Sequence, residues 1–84
     1  MSKKIIVGIN IADRFQNAVE IQQLFTEYGC NIKTRLGLHE VTDKVCAIGG
    51  IVILEMVGEV KTIEEFIVKL KKIKGLDVQQ MVFG

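Results

Sequence analysis

The 84 residues are enough for one domain, which we expect to span residues 1–84, but a chain of this length buries only about 60% of its unfolded surface. Nearly half of the residues are hydrophobic and the net charge is +1, which argues against a nucleic-acid-binding protein, because such proteins carry a clear excess of Lys and Arg. No apolar run approaches the ~20 residues that span a bilayer, and the two cysteines are too few for a disulfide framework, so we expect a cytoplasmic protein with no membrane partner.

The N-terminal third of the chain is predicted to form a strand followed by a helix. Residues 3–11 alternate with apolar side chains on both faces, which predicts a central strand, and Gly8 within it indicates close packing or a bulge. Residues 13–28 carry an apolar stripe at helical spacing. We expect Asp13 to be the N-cap of this helix and Gly29 to end it in a left-handed conformation.

The next segment alternates so cleanly that it predicts a strand with one wet face over residues 31–39. Residues 40–49 have no firm period and are expected to form a long loop. The wet face is expected to carry Lys33, Arg35, Gly37 and His39.

The longest apolar run, residues 50–58, predicts a strand buried on both faces. A second helix is expected to begin at Thr62 with a capping box that includes Glu65, and to end at Gly75. Residues 76–83 predict a last strand.

The predicted order is β-α-β-β-α-β, which is the order of the ferredoxin-like α+β fold. It places the two most apolar strands, the first and the third, in the centre of a four-stranded antiparallel sheet, with both helices on one face. Glu55 then falls on the helix-free face, where we expect it to pair with Arg35 or Lys33 or to lie at a subunit interface.

The search for catalytic motifs finds no phosphate-binding loop, nucleophile elbow or zinc-protease signature, so we expect a protein that is not an enzyme. A divalent-metal site is the next candidate. His39 and Cys46, with Cys30 or a nearby carboxylate, offer nitrogen, sulfur and oxygen ligands that suit zinc or nickel. One chain lacks a convincing set of four ligands, so such a site would require a symmetric oligomer.

Several stretches together resemble the ACT-like domains, and more narrowly the family of iron-only hydrogenase system regulators, which are stand-alone ACT-like proteins. They are residues 11–29 (IADRFQNAVEIQQLFTEYG), the Arg35–Leu36–Gly37 element, the apolar third strand and residues 69–82 (KLKKIKGLDVQQMV). The resemblance implies a regulatory module that forms dimers or tetramers and binds a small effector at a subunit interface.

The chain departs from the amino-acid-binding ACT domains because the turn after its first strand has no glycine. It also resembles the C-terminal domain of nickel-responsive repressors, although only His39 and Cys46 match the metal region of that family. The effector is expected near Asn10, Asp13 and Arg14 of one subunit and Arg35, Gly37 and His39 of a neighbouring subunit. Glu55 is also expected to be an effector-binding residue. The alternatives are a metal-binding protein that uses His39 and Cys46 and a purely structural oligomerisation module.

Overall fold

The structure, a computed structural model, describes residues 4–12, 17–41 and 46–84, with the backbone alone described for residues 38–41 and 46–49. Its elements are β1 (Lys4–Ile11), α1 (Ala18–Glu27), β2 (Ile32–Val41), β3 (Cys46–Met56), α2 (Val60–Lys71) and β4 (Leu76–Phe83).

The four strands form one antiparallel sheet in the order β2-β3-β1-β4. The two most apolar strands, β1 and β3, are therefore the central pair, as their sequences predict. The arrangement is the ferredoxin-like α+β fold. Pairing of β1 runs without interruption against both neighbours, so the bulge considered at Gly8 is absent.

Both helices pack on one face of the sheet and form the core. The sheet contributes alternate residues of β1 and β3, and Phe66 of α2 lies at the centre, with its ring 6.2 Å from that of Phe25 and 5.0 Å from that of Tyr28. Complete burial of a side chain such as Phe66 contributes about 1.5–3 kcal/mol. The other buried residues are Ile5, Val7, Ile9, Ile11, Ile21, Leu54, Met56, Ile63, Ile67, Leu70, Ile73 and Val78.

The helix ends differ from the sequence prediction. In α2, the N–H of Ile63 donates to the carbonyl of Glu59 at 3.1 Å, so the helix is capped at Glu59 and Thr62 lies inside it. The predicted capping box is therefore wrong, because Val60 packs against the core and extends the helix towards its N-terminus. In α1 the N-cap is Asn17, and the predicted cap Asp13 lies outside the described residues.

The glycines after the two helices behave differently. The helix α2 ends at Lys71 with Lys72 as its C-cap, so the predicted end at Gly75 is wrong, and the positive φ of 91° at Gly75 lies in the turn that leads to β4. Gly29 does not have a positive φ, and it begins a short 3₁₀ turn, Gly29–Asn31. The left-handed conformation expected at Gly29 is therefore wrong, since the chain enters β2 through this turn.

The described parts of the loop expected at residues 40–49, which are residues 40–41 and 46–49, are strand. β2 continues to Val41 and β3 begins at Cys46, and these two residues are paired. The pairing of β3 with β1 covers only Gly50 to Met56. The ends of β2 and β3 nearest the connection therefore pair only with each other among the described strand pairs, as a two-stranded ribbon with a register shift between His39 and Val41.

Candidate functional site

The sheet face opposite the helices is the main candidate surface. Because side chains alternate along a strand, burial of Ile5, Val7 and Ile9 under the helices places Ile6 and Gly8 on the opposite face. Cross-strand pairing extends this face through Ile53 of β3 and Met81 of β4. We call it the helix-free face. It presents Lys4, Ile6, Gly8, Asn10, Thr34, Leu36, Ile51, Ile53, Glu55, Asp77, Gln79, Met81 and Phe83.

An open groove of about 310 Å³ runs over Gly8 in the middle of this face. A Cβ built on Gly8 would have no atom within 4 Å, so the missing side chain creates part of the groove. The surrounding side chains are mainly aliphatic, which suits an apolar ligand. The groove is lined by Ile6, Gly8, Ile51, Ile53, Gln79, Gln80 and Met81.

Polar groups lie at one end of the groove, on β2 and β3. Glu55 accepts a hydrogen bond of 3.0 Å from the Thr34 hydroxyl, and its other carboxylate oxygen lies 3.8 Å from Nζ of Lys33. The position predicted for Glu55 on the helix-free face and one of its two predicted partners, Lys33, are therefore confirmed. Both groups of the ion pair are partly solvated, so the pair contributes little to stability.

The other end of the groove carries Asn10 and Asp77, which are opposite each other in the β1–β4 pairing. Asp77 accepts a 3.1 Å hydrogen bond from the side-chain amide of Gln79. Glu55 is opposite Ile6, four residues from Asn10 along β1, so the two polar ends are about 13 Å apart. The arrangement offers an apolar floor between two sets of hydrogen-bonding groups.

Arg35 lies on the face that the helices cover. Its guanidinium carbon is 4.6 Å from the centroid of the Phe25 ring, and in the sheet it is opposite the buried residue Leu54. Gly37 is opposite Val52, which packs against the core. The predicted Arg35–Glu55 pair is therefore wrong.

The reason is a register shift at Lys33. Ile32 is paired with Met56, but the next pair joins Thr34 to Glu55, so one extra residue is inserted in β2. A one-residue slip moves every following side chain to the other face. The alternation of residues 31–39 in the sequence gives no sign of this insertion, and for this reason it assigned Arg35 to the wrong face.

The remaining predicted site residues fall partly outside the described structure. Asp13 and Arg14 are not among the described residues. For His39 and Cys46 only the backbone pairing is described, and it places them opposite Gly50 and Val41, with a register shift between these two pairs. Among the side chains that the structure describes, no three His, Cys, Asp or Glu residues are grouped as metal ligands. The metal site at His39 and Cys46 stays a prediction.

A second polar cluster joins the two helices. Nζ of Lys69 donates to the Glu27 carboxylate at 2.9 Å and lies 5.0 Å from the centroid of the Tyr28 ring. Hydrogen bonds to the Tyr28 hydroxyl and to Glu27 raise the pKa of Lys69 above its ordinary value. This exposed ion pair links α1 to α2 through a charge-assisted hydrogen bond.

The sequence interpretation missed two features of the helix-free face. One is the groove over Gly8, for which a glycine inside a strand of β-branched residues was the available signal. The other is Leu36, which the alternation assigned to the core but which is 51% exposed after the register shift.

In the described part of the chain, no helix has the length and apolarity needed to cross a membrane.

Comparison with known proteins supports the fold. No family model matches the chain, and no curated protein matches it. Among solved structures, the chain is similar to the uncharacterized protein TM1266 from Thermotoga maritima, with a TM-score of 0.83 and 21% identity over 100% of both chains. At this identity the similarity shows that the chain has the same ferredoxin-like fold as TM1266.

Proposed function

We propose that the chain is a small regulatory or sensing module, not an enzyme, which binds a small effector between subunits of a homo-oligomer. The groove over Gly8 is the observation that carries this proposal. Its volume of about 310 Å³ is at the lower end of the range for small-molecule sites, and its floor is apolar with polar groups at both ends.

The geometry favours an effector with an apolar body and polar groups at its ends. Ile6, Ile53 and Met81 would contact the body, while Glu55 and the Asn10–Asp77 pair would accept or donate hydrogen bonds at the two ends. The groove is open on one side, and sites that retain small molecules usually bury most of the ligand. A second subunit would supply the missing cover.

The site differs from the one expected from the sequence. Asn10 and Glu55 stay in it, whereas Arg35 and Gly37 of the same subunit are on the other face of the sheet. The net charge of +1 does not favour a direct role with nucleic acid. A metal-binding role for His39 and Cys46 and a purely structural role are the alternative proposals.

A Gly8→Val variant tests the groove. Nothing lies within 4 Å of the new Cβ, and β-branched residues favour strands, so we expect the variant to fold with equal or greater stability. The new side chain would nevertheless fill the groove. Gly37→Val is a matched control, because Gly37 is also a strand glycine with open space but lies on the opposite face.

Native mass spectrometry of the freshly purified proteins and titration with the fluorescent probe 1-anilinonaphthalene-8-sulfonate give the measurements. We expect wild type and Gly37→Val to retain a bound small molecule or to bind the probe, and Gly8→Val to lose this binding. Equal binding by all three proteins, with unchanged melting temperatures, would contradict the proposed site.

A further inference from the structure

The helix-free face has the composition of a protein–protein interface. Its centre is aliphatic and includes Leu36, Ile51 and Met81, whose exposed fractions are 51%, 43% and 56%. Its charged residues, Lys4, Glu55 and Asp77, lie towards the edges and ends of the sheet. An apolar centre inside a polar rim is typical of interfaces between proteins, and exposed apolar patches of this kind are uncommon on monomers.

We propose that a second copy of the chain packs its own helix-free face against this one, so that the two sheets lie face to face about a two-fold axis. A two-fold axis joins identical surfaces, and an aliphatic surface with few charges is complementary to itself. The net charge of +1 also gives two copies little mutual repulsion.

The area of the face is sufficient for this association. Four strands at a spacing of about 4.8 Å and eight residues at about 3.4 Å give a face of roughly 500 Å² for each copy. Two copies would thus bury about 1,000 Å² in total, or more because side chains add to the area of the flat sheet. This reaches the lower limit for specific interfaces.

The ribbon formed by the ends of β2 and β3 gives a second, independent argument. Residues 46–49 of β3 lie beyond the pairing with β1, so among the residues that the structure describes this part of the sheet is two strands wide. A ribbon of two strands is marginally stable in water unless another layer supports it. A second sheet that lies across the helix-free face would provide such support and would enlarge the interface.

This interface deepens the proposed function, because it names the partner that would cover the groove. The statement that the second copy covers a bound ligand rests on the proposed function. The association of two copies does not depend on it. When two sheets pack about 10 Å apart, the absence of a side chain at Gly8 leaves space between them. The effector would then be enclosed by both copies.

The competing arrangement is pairing of β4 edges. β4 is regular along its whole length and has no Lys, Arg or Pro, so its outer edge is not protected against pairing. Face and edge pairing predict different results for two adjacent residues. Met81 is on the helix-free face, whereas Val82 is 51% exposed and lies on the opposite face beside the same edge.

Sedimentation velocity of the full chain, without added ligand, tests the proposal with single carboxylate substitutions. We expect wild type to dimerise, and Leu36→Asp and Met81→Asp each to raise the dimer dissociation constant at least about a hundredfold, because each carboxylate enters an apolar interface twice. The controls Val82→Asp and Val68→Asp, at positions that are 51% and 52% exposed away from this face, should associate like wild type.

All substituted residues are exposed in the single chain, so circular dichroism should show that the variants fold. A monomeric wild type at high micromolar concentration would overturn the proposal. It would also be overturned if Met81→Asp and Val82→Asp weakened association equally while Leu36→Asp did not, since that pattern indicates β4 edge pairing. If Gly8→Val keeps probe binding while Leu36→Asp and Met81→Asp weaken association and Val82→Asp does not, the groove is contradicted and the interface is supported, so the two hypotheses fail separately.

Discussion

Gly58 offers the most direct test of the packing between the 3₁₀ turn and the end of β3. Its φ is +105°, and a Cβ at this position would be 2.5 Å from the side-chain nitrogen of Asn31. That nitrogen donates to the carbonyl of Val57 at 3.0 Å, and the N–H of Val57 donates to the carbonyl of Asn31 at 2.7 Å. A Gly58→Ala substitution therefore strains the backbone and also displaces the side chain that holds this junction.

The expected loss follows from these two effects. A positive φ costs a residue with a Cβ about 1–2 kcal/mol. Loss of the Asn31–Val57 hydrogen bond adds about 1 kcal/mol. We therefore expect Gly58→Ala to lower the free energy of unfolding by about 2–3 kcal/mol, and each kcal/mol lowers the melting temperature of a chain of this size by about 4–8 °C.

Urea denaturation followed by circular dichroism measures this loss, with Gly29→Ala as the matched control. Gly29 has no positive φ and nothing within 4 Å of a built Cβ, so alanine there should be neutral or stabilise by up to about 1 kcal/mol. In an Asn31→Ala background the contact is absent, and Gly58→Ala should then cost only the backbone term. Equal losses in both backgrounds would refute the steric part of the reasoning, and a loss no larger than that of Gly29→Ala would refute all of it.

Two further predictions concern the helix-covered face and the cluster between the helices. Arg35→Ala should lower the free energy of unfolding by about 0.5–1 kcal/mol, because the stacking of the guanidinium on Phe25 is lost, and Arg35→Lys should lower it less. Urea denaturation measures both losses. A free energy of unfolding that is unchanged in both variants would contradict the contact. Lys69→Met should destabilise the protein at neutral pH, because it removes the ammonium that Tyr28 and Glu27 hold. Since the folded pKa of Lys69 is raised, its contribution is fully present below the unfolded pKa of about 10.4 and is lost as the pH rises through the folded value. The difference between wild type and Lys69→Met should thus stay constant from pH 7 to 10, and a difference that shrinks within this range would contradict the assignment.

The groove over Gly8 depends on which face of the sheet each strand residue occupies, and the sequence predicts this for only some of the residues. The sequence placed Glu55 on the correct face, because β3 is regular in its pairing with β1 and its alternation is preserved. It could not place Leu36 or Arg35, because an extra residue at Lys33 exchanges the faces of the rest of β2. A bulge of this kind has no reliable signal in a single sequence, since it is fixed by pairing with the next strand.

The sequence by itself determined the order of the elements and the central positions of β1 and β3, because apolar periodicity is a local property. The tertiary structure decided the start of α2, the length of the β2–β3 ribbon and the face on which each β2 residue lies. These depend on contacts between segments that are distant in the chain. Packing of Val60 on the core adds residues to the start of α2, and hydrogen bonding to β3 converts an expected loop into strand.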